Sequence, residues 1–125
     1  HPMFLLDKEL RNWATADKAC KNAGARLPTY RQLQALYFRA TRATVANGTM
    51  DNSEMCSIHG WPLYRQCGGS GDSSGNDKSY SNGYWSSTKT LSSSVGHAVV
   101  DLYSGYAYGS GYDDDYLLQV ACMRR

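Results

Sequence analysis

The sequence holds four sets of side chains whose types and spacing bear on chemistry: cysteines, histidines, a run of aspartates and a cluster of tyrosines. Cys20, Cys56, Cys67 and Cys122 form an even set in a small Gly-, Ser- and Tyr-rich chain. That pattern favours two disulfides and an oxidising compartment, although spacing alone leaves free thiols in a cytosolic core as the alternative. Cys56, His59 and Cys67 have the ligand types of a zinc site. A fourth ligand is missing nearby and zinc needs both thiols reduced, so His59 is read as a loop residue and no metal is assigned. His97, beside Gly96, could serve as a base, yet no nucleophile with an orienting partner stands near it in sequence. It is read as a surface or half-buried structural histidine, and no catalytic residue or cofactor is assigned.

Asp113-Asp114-Asp115 could hold a cation, but three adjacent carboxylates on an extended segment cannot all face one ion. A solvated acidic loop is the safer reading, with Asp113 and Asp115 sharing a face if the segment is a strand. Seven of the ten tyrosines fall between Tyr80 and Tyr116. From Asp101 onward, Tyr103, Tyr106, Tyr108, Tyr112 and Tyr116 are interleaved with Gly, Ser and Asp, the composition of an antibody paratope: large rigid rings with a hydroxyl handle on an adaptable backbone. The alternative is that alternate tyrosines of a hairpin merely cover a sheet. Tyr106, Tyr108 and Tyr112 cannot all point into a small core, which favours a binding surface. The candidate binding residues are therefore Tyr103, Tyr106, Tyr108, Tyr112, Asp113 and Asp115, with Gly68 to Tyr80 as a mobile rim.

These residues need elements to hold them. Asn12 is placed to cap a first helix whose apolar positions are Trp13, Ala16, Ala19, Cys20 and Ala23, with Gly24 as its stop. Thr29 and Gln32 form a capping box for a second helix that buries Leu33, Leu36, Tyr37 and Ala40 and ends near Ala43. Between Asn47 and Tyr84 the composition shifts to Gly, Ser, Asn and Asp with no period, which predicts a long irregular loop. Strand signals follow at 84–88, at Ala98, Val100 and Leu102, and at Leu118, Val120 and Cys122; Ser104-Gly105 supplies a hairpin turn. Two helices followed by an antiparallel sheet give an α+β class. Trp13 and Trp85 are predicted to be core residues.

The 125 residues suit one domain, 1–125. Basic residues exceed acidic ones by only two, without a run that could track a phosphate backbone, so nucleic acid is not expected as a partner. The charge is uneven: residues 1–67 hold nine basic and five acidic side chains, and 68–125 hold four and six. No apolar stretch is long enough to span a bilayer, and the start lacks the regions of a signal peptide, as expected of a mature fragment of something longer. Arg26, Arg31, Arg39 and Arg42 dot the helical half as solvated faces. Asn47-Gly48-Thr49 fits a glycosylation acceptor pattern.

The order Trp13 and Cys20, Gly24-Ala25-Arg26-Leu27-Pro28-Thr29, Tyr84-Trp85-Ser86-Ser87-Thr88 and Val120-Ala121-Cys122-Met123-Arg124 resembles the C-type-lectin-like fold. The resemblance is to the bacterial version at the C-terminal tip of intimin- and invasin-like outer-membrane adhesins. It implies two helices packed on antiparallel sheets with a long irregular loop region, and it implies the pairs Cys20–Cys122 and Cys56–Cys67. The first pair would close about a hundred residues and contribute up to roughly 4.7 kcal/mol in the chain-entropy model. The Glu-Pro-Asn, Gln-Pro-Asp and Trp-Asn-Asp tripeptides that hold calcium in sugar-binding relatives are absent, which removes the support for calcium-dependent sugar binding.

The resulting expectation is a non-enzymatic, monomeric module on the outer face of a bacterial outer membrane, a virulence adhesin that recognises a host receptor or immunoglobulin. The alternatives are a calcium-independent lectin, with Trp61, Trp85 and exposed tyrosines stacking on sugars, and a hypervariable ligand-binding protein of phage or retroelement type. An enzyme related to formylglycine-generating oxidoreductases would need reactive cysteines or a metal.

Overall fold

The computed structural model describes residues 4–41, 53–69, 71, 78–90 and 96–125. In chain order the elements are β1 (Phe4–Arg11), α1 (Trp13–Asn22), β2 (Ala25–Arg26), α2 (Tyr30–Thr41), α3 (Glu54–Ser57), β3 (Ser79–Lys89), β4 (His97–Asp101), β5 (Ala107–Tyr112) and β6 (Leu117–Arg124). The class is α+β. Arg42, Ala43 and the Asn47-Gly48-Thr49 pattern lie outside the described residues, as do residues 72–77 of the expected rim.

Both main helices start as their sequences dictate. The Asn12 side chain accepts the Thr15 N–H at 2.9 Å, satisfying a donor that no helical carbonyl can reach. The capping box is reciprocal: Gln32 N–H donates to Thr29 Oγ1 at 3.1 Å, and Thr29 N–H donates to Gln32 Oε1 at 2.9 Å.

Two expectations need correction. The irregular stretch from Asn47 to Tyr84 is interrupted by α3 and by β3, which begins at Ser79 rather than at Tyr84. Tyr80 is therefore a strand residue and not part of a rim. The start of β3 is rich in Ser, Asn and Gly, so strand propensity alone does not reveal it; burial on both faces of the sheet supplies what propensity lacks. The sheet is also not purely antiparallel. Its six strands run in the order β1-β6-β3-β4-β5, with β2 also on β6, and the β3–β6 pairing is parallel. The direction of β6 is set on its other side, where β1 pairs with it antiparallel and a disulfide ties it to α1.

The helices lie on opposite faces of one sheet, because alternate residues of β3, β4 and β6 feed two separate clusters. Leu33 and Tyr37 of α2 pack with Met55, Trp61, Tyr84, Val100 and Ala121 on one face. Ala16 and Cys20 of α1 pack with Leu27, Trp85, Val99, Leu118 and Val120 on the other. Trp85 is fully buried as predicted, and its Nε1–H donates to the Arg11 carbonyl at 2.8 Å. Trp13 is only half-buried, at the border of its cluster, because it stands in the first turn of α1.

Both disulfides are present: Cys20–Cys122, across 102 residues with Cα atoms 5.2 Å apart, and Cys56–Cys67, across 11. The first locks α1 onto the last strand. The second closes the segment that carries Trp61 into the core.

Candidate functional site: a tyrosine face beside an acidic turn

The site is built on the β4–β5 hairpin. Asp101, almost completely buried at the end of β4, organises its turn: Oδ1 accepts the N–H groups of Tyr103 at 2.7 Å and Ser104 at 2.8 Å. Oδ2 accepts the hydroxyl of Tyr80 from β3. One carboxylate thus fixes both the turn and the first ring of the cluster. Gly105 follows with φ +80°, and a Cβ there would lie 2.3 Å from the Tyr37 ring of α2, so the turn accepts only glycine if α2 is to pack beneath it.

From this turn β5 runs antiparallel along β4, pairing Tyr108 with Val99 and Tyr112 with His97. The two pairs are out of step, and the extra residues are absorbed near Gly111, at φ +66°, where a Cβ would come within 2.2 Å of the His97 carbonyl oxygen. The irregularity keeps Tyr108 and Tyr112 in ring contact. Their centroids are 5.6 Å apart at 86°. Tyr112 also lies parallel to Tyr80 at 5.9 Å and edge-on to Tyr116 at 4.9 Å, while Tyr106 meets Tyr108 at 4.6 Å. Tyr80 completes the set, edge-on to Tyr108 at 6.4 Å. Four of these rings, Tyr80, Tyr108, Tyr112 and Tyr116, pack on the same cluster as α1. They share that face of the sheet with α1.

Partial burial shapes their acid–base behaviour. Tyr112 is pushed up to about 12, chiefly because burial disfavours the phenolate, with the neighbouring Tyr108 and Asp101 adding to it. Burial also raises Tyr108, and it raises Tyr80 further together with the hydrogen bond to Asp101. Tyr80, Tyr108 and Tyr112 therefore present neutral hydroxyls, which donate as well as accept, across the physiological range.

The acidic turn between β5 and β6 is divided in its roles. Asp113 is exposed beside Tyr112. Asp114 anchors the turn to the helical side: its carbonyl accepts the Trp13 N–H at 3.0 Å, and its Oδ1 stands 2.7 Å from His97 Nδ1. The His97 ring lies parallel to Trp13 with centroids 3.7 Å apart. His97 is thus buried, neither on the surface nor half-buried, because a strand covered on both faces encloses it. Asp115 is exposed and accepts from Lys78 Nζ at 2.8 Å, an ion pair that holds the carboxyl below its usual range. Among the described residues no group of three or more His, Cys, Asp and Glu side chains is arranged to hold a metal.

Of the candidate residues, the structure brings Tyr106, Tyr108 and Tyr112 together; Asp113 follows Tyr112 directly in the chain, and Asp115 is paired with Lys78. Tyr103 does not join them; it packs against the α2-side cluster, because the turn at Asp101 sends it to the other face. Tyr80, Tyr116 and Asp101 belong to the site and were not among the candidates. The crowding of tyrosines between Tyr80 and Tyr116 was the available signal for the first two. Trp61 and Trp85 are completely buried and offer no platform to a sugar. All four cysteines are paired, so chemistry that runs on a free thiol has none to use.

No family model, curated protein or solved structure matches this chain.

Proposed function

We propose that this chain is a binding module, a C-type-lectin-like domain of a bacterial surface adhesin of the intimin and invasin type, that docks on a host protein through its tyrosine face. The observation that carries the reading is the continuous layer of Tyr106, Tyr108, Tyr112, Tyr80 and Tyr116 beside exposed Asp113. Rings already packed against one another lose little freedom on binding, and such aromatic groups concentrate interface energy. The lectin-like assignment draws support from the Cys20–Cys122 link between first helix and last strand and from the pairing of β1 with β6. The acidic turn favours a partner surface bearing Lys or Arg.

Tyr106 is the residue to probe, since it is 39% exposed and its removal spares the four rings that pack on the core. Immobilised domain is offered host-cell surface proteins, in parallel with a glycan array in chelator. The reading expects a saturable host protein whose affinity falls at least about fivefold in Tyr106→Ala. Glycan binding that survives chelator, with no protein retained, would replace it by the calcium-independent lectin. Retention that ignores Tyr106→Ala but is lost on changing Arg31 or Arg39 would move the site to α2.

A further inference from the structure

A cleft of about 440 Å³ opens between α2 and the loop closed by Cys56–Cys67. It lies over the α2-side cluster, across the sheet from the tyrosine layer. Its floor is apolar, with buried Phe4 and Trp61 flanked by half-buried Leu36 and Met123. Its rim is polar, with exposed Arg39 and His59. We propose that this cleft binds a small amphipathic carboxylate, its apolar body against Phe4, Leu36 and Trp61 and its carboxylate on the Arg39 guanidinium.

Size, charge and rigidity lead to that class of ligand. The volume falls within the range of small-molecule sites, about 300 to 1,000 Å³, where apolar walls supply affinity and a few polar groups set orientation. The residues lining the cleft include no Asp or Glu, so a cation finds no counter-charge there while an anion meets Arg39. Among the described residues no ion pair engages Arg39, leaving its planar fork of donors to a carboxylate. The walls are also preformed. The Cys56–Cys67 disulfide brackets both His59 and Trp61, and His59 Nε2 donates to the Ala40 carbonyl of α2 at 3.1 Å. A ligand would therefore not have to order the loop on entering.

The test is an amide chemical-shift titration with naphthalene-2-carboxylate and the uncharged naphthalene-2-carboxamide, which share one apolar body. Saturable shifts are expected in α2 and at Gly60 and Trp61, with the carboxylate bound about fivefold tighter than the carboxamide. Arg39→Gln, at an exposed helix position, should erase that preference while leaving the carboxamide unchanged. Ala35→Trp, which fills the cleft from α2, should abolish binding of both. Equal binding of the two probes, a preference that survives Arg39→Gln, shifts centred elsewhere or no binding at all would overturn the proposal. Because Arg39→Gln alone decides the charge argument, the conclusion stands even if Ala35→Trp fails to fold.

Discussion

Replacing Tyr112 by Ala tests whether the tyrosine face is a packed layer or a set of loose side chains. A tyrosine buries up to about 200 Å², and Tyr112 is half-buried, so truncation returns roughly 100 Å² of contact to water. At ~25 cal/mol per Å² that is about 2.5 kcal/mol. The ring contacts with Tyr80, Tyr108 and Tyr116 add roughly 0.5 kcal/mol or more each when taken singly. Contacts of one ring do not add fully, so the expected loss is about 3 kcal/mol. For 125 residues the unfolding entropy is roughly 0.26 kcal/mol per degree, and Tm should fall by about 12 °C. Tyr106→Ala, at an exposed position, should cost no more than about 1 kcal/mol, or ~4 °C. Thermal melts followed by circular dichroism compare the two. Equal shifts would mean that the ring geometry contributes nothing to stability and that the layer is not preorganised. Tyr108 is half-buried on the same cluster, so its truncation should likewise lower stability.

Trp85→Ala should cost roughly 3 to 5 kcal/mol by leaving a cavity in the α1-side core, whereas Trp85→Phe should cost less and mainly strand the Arg11 carbonyl; urea unfolding distinguishes them, and a change within error for Ala would mean that Trp85 is exposed. High pH probes the cluster differently. The folded pKa of Tyr112 is raised from 10.0 to about 12, so its protonated form is favoured by folding; that contribution is complete below pH 10 and is lost as pH rises to about 12. Tyr112→Phe should therefore lose less stability over this window than the parent chain, and equally steep loss in both, measured by urea unfolding at successive pH values, would contradict the burial of Tyr112.

What is legible in the sequence depends on the distance over which each interaction acts. The Asn12 cap, the Thr29–Gln32 capping box and the Ser104-Gly105 turn all depend on groups within four residues of one another, and each is legible in the sequence. Residue type alone also marks the β5 segment as a tyrosine surface, since so many rings exceed what a small core can enclose. The sequence does not reveal β1, whose Phe4–Arg11 run lacks a clean alternation and is held by β6 more than a hundred residues away. Nor does it show that β6 runs parallel to β3, because β1 and the Cys20–Cys122 link set its direction.

Most of the site was settled by long-range packing. Tyr80 joins the cluster only because the buried carboxylate of Asp101 reaches across from β4 to take its hydroxyl, and Tyr103 leaves it because the same residue turns the chain to the opposite face. His97 is enclosed rather than surface-exposed because Trp13 and Asp114, each distant in sequence, close over its ring. The cleft by Arg39 exists because one disulfide carries Trp61 beneath α2. Composition fixes which side chains are available, and neighbours along the chain fix how each short segment begins and turns. Which rings meet, which face they cover and where a cavity remains were decided by tertiary structure, because they depend on contacts across the sheet that no local pattern encodes.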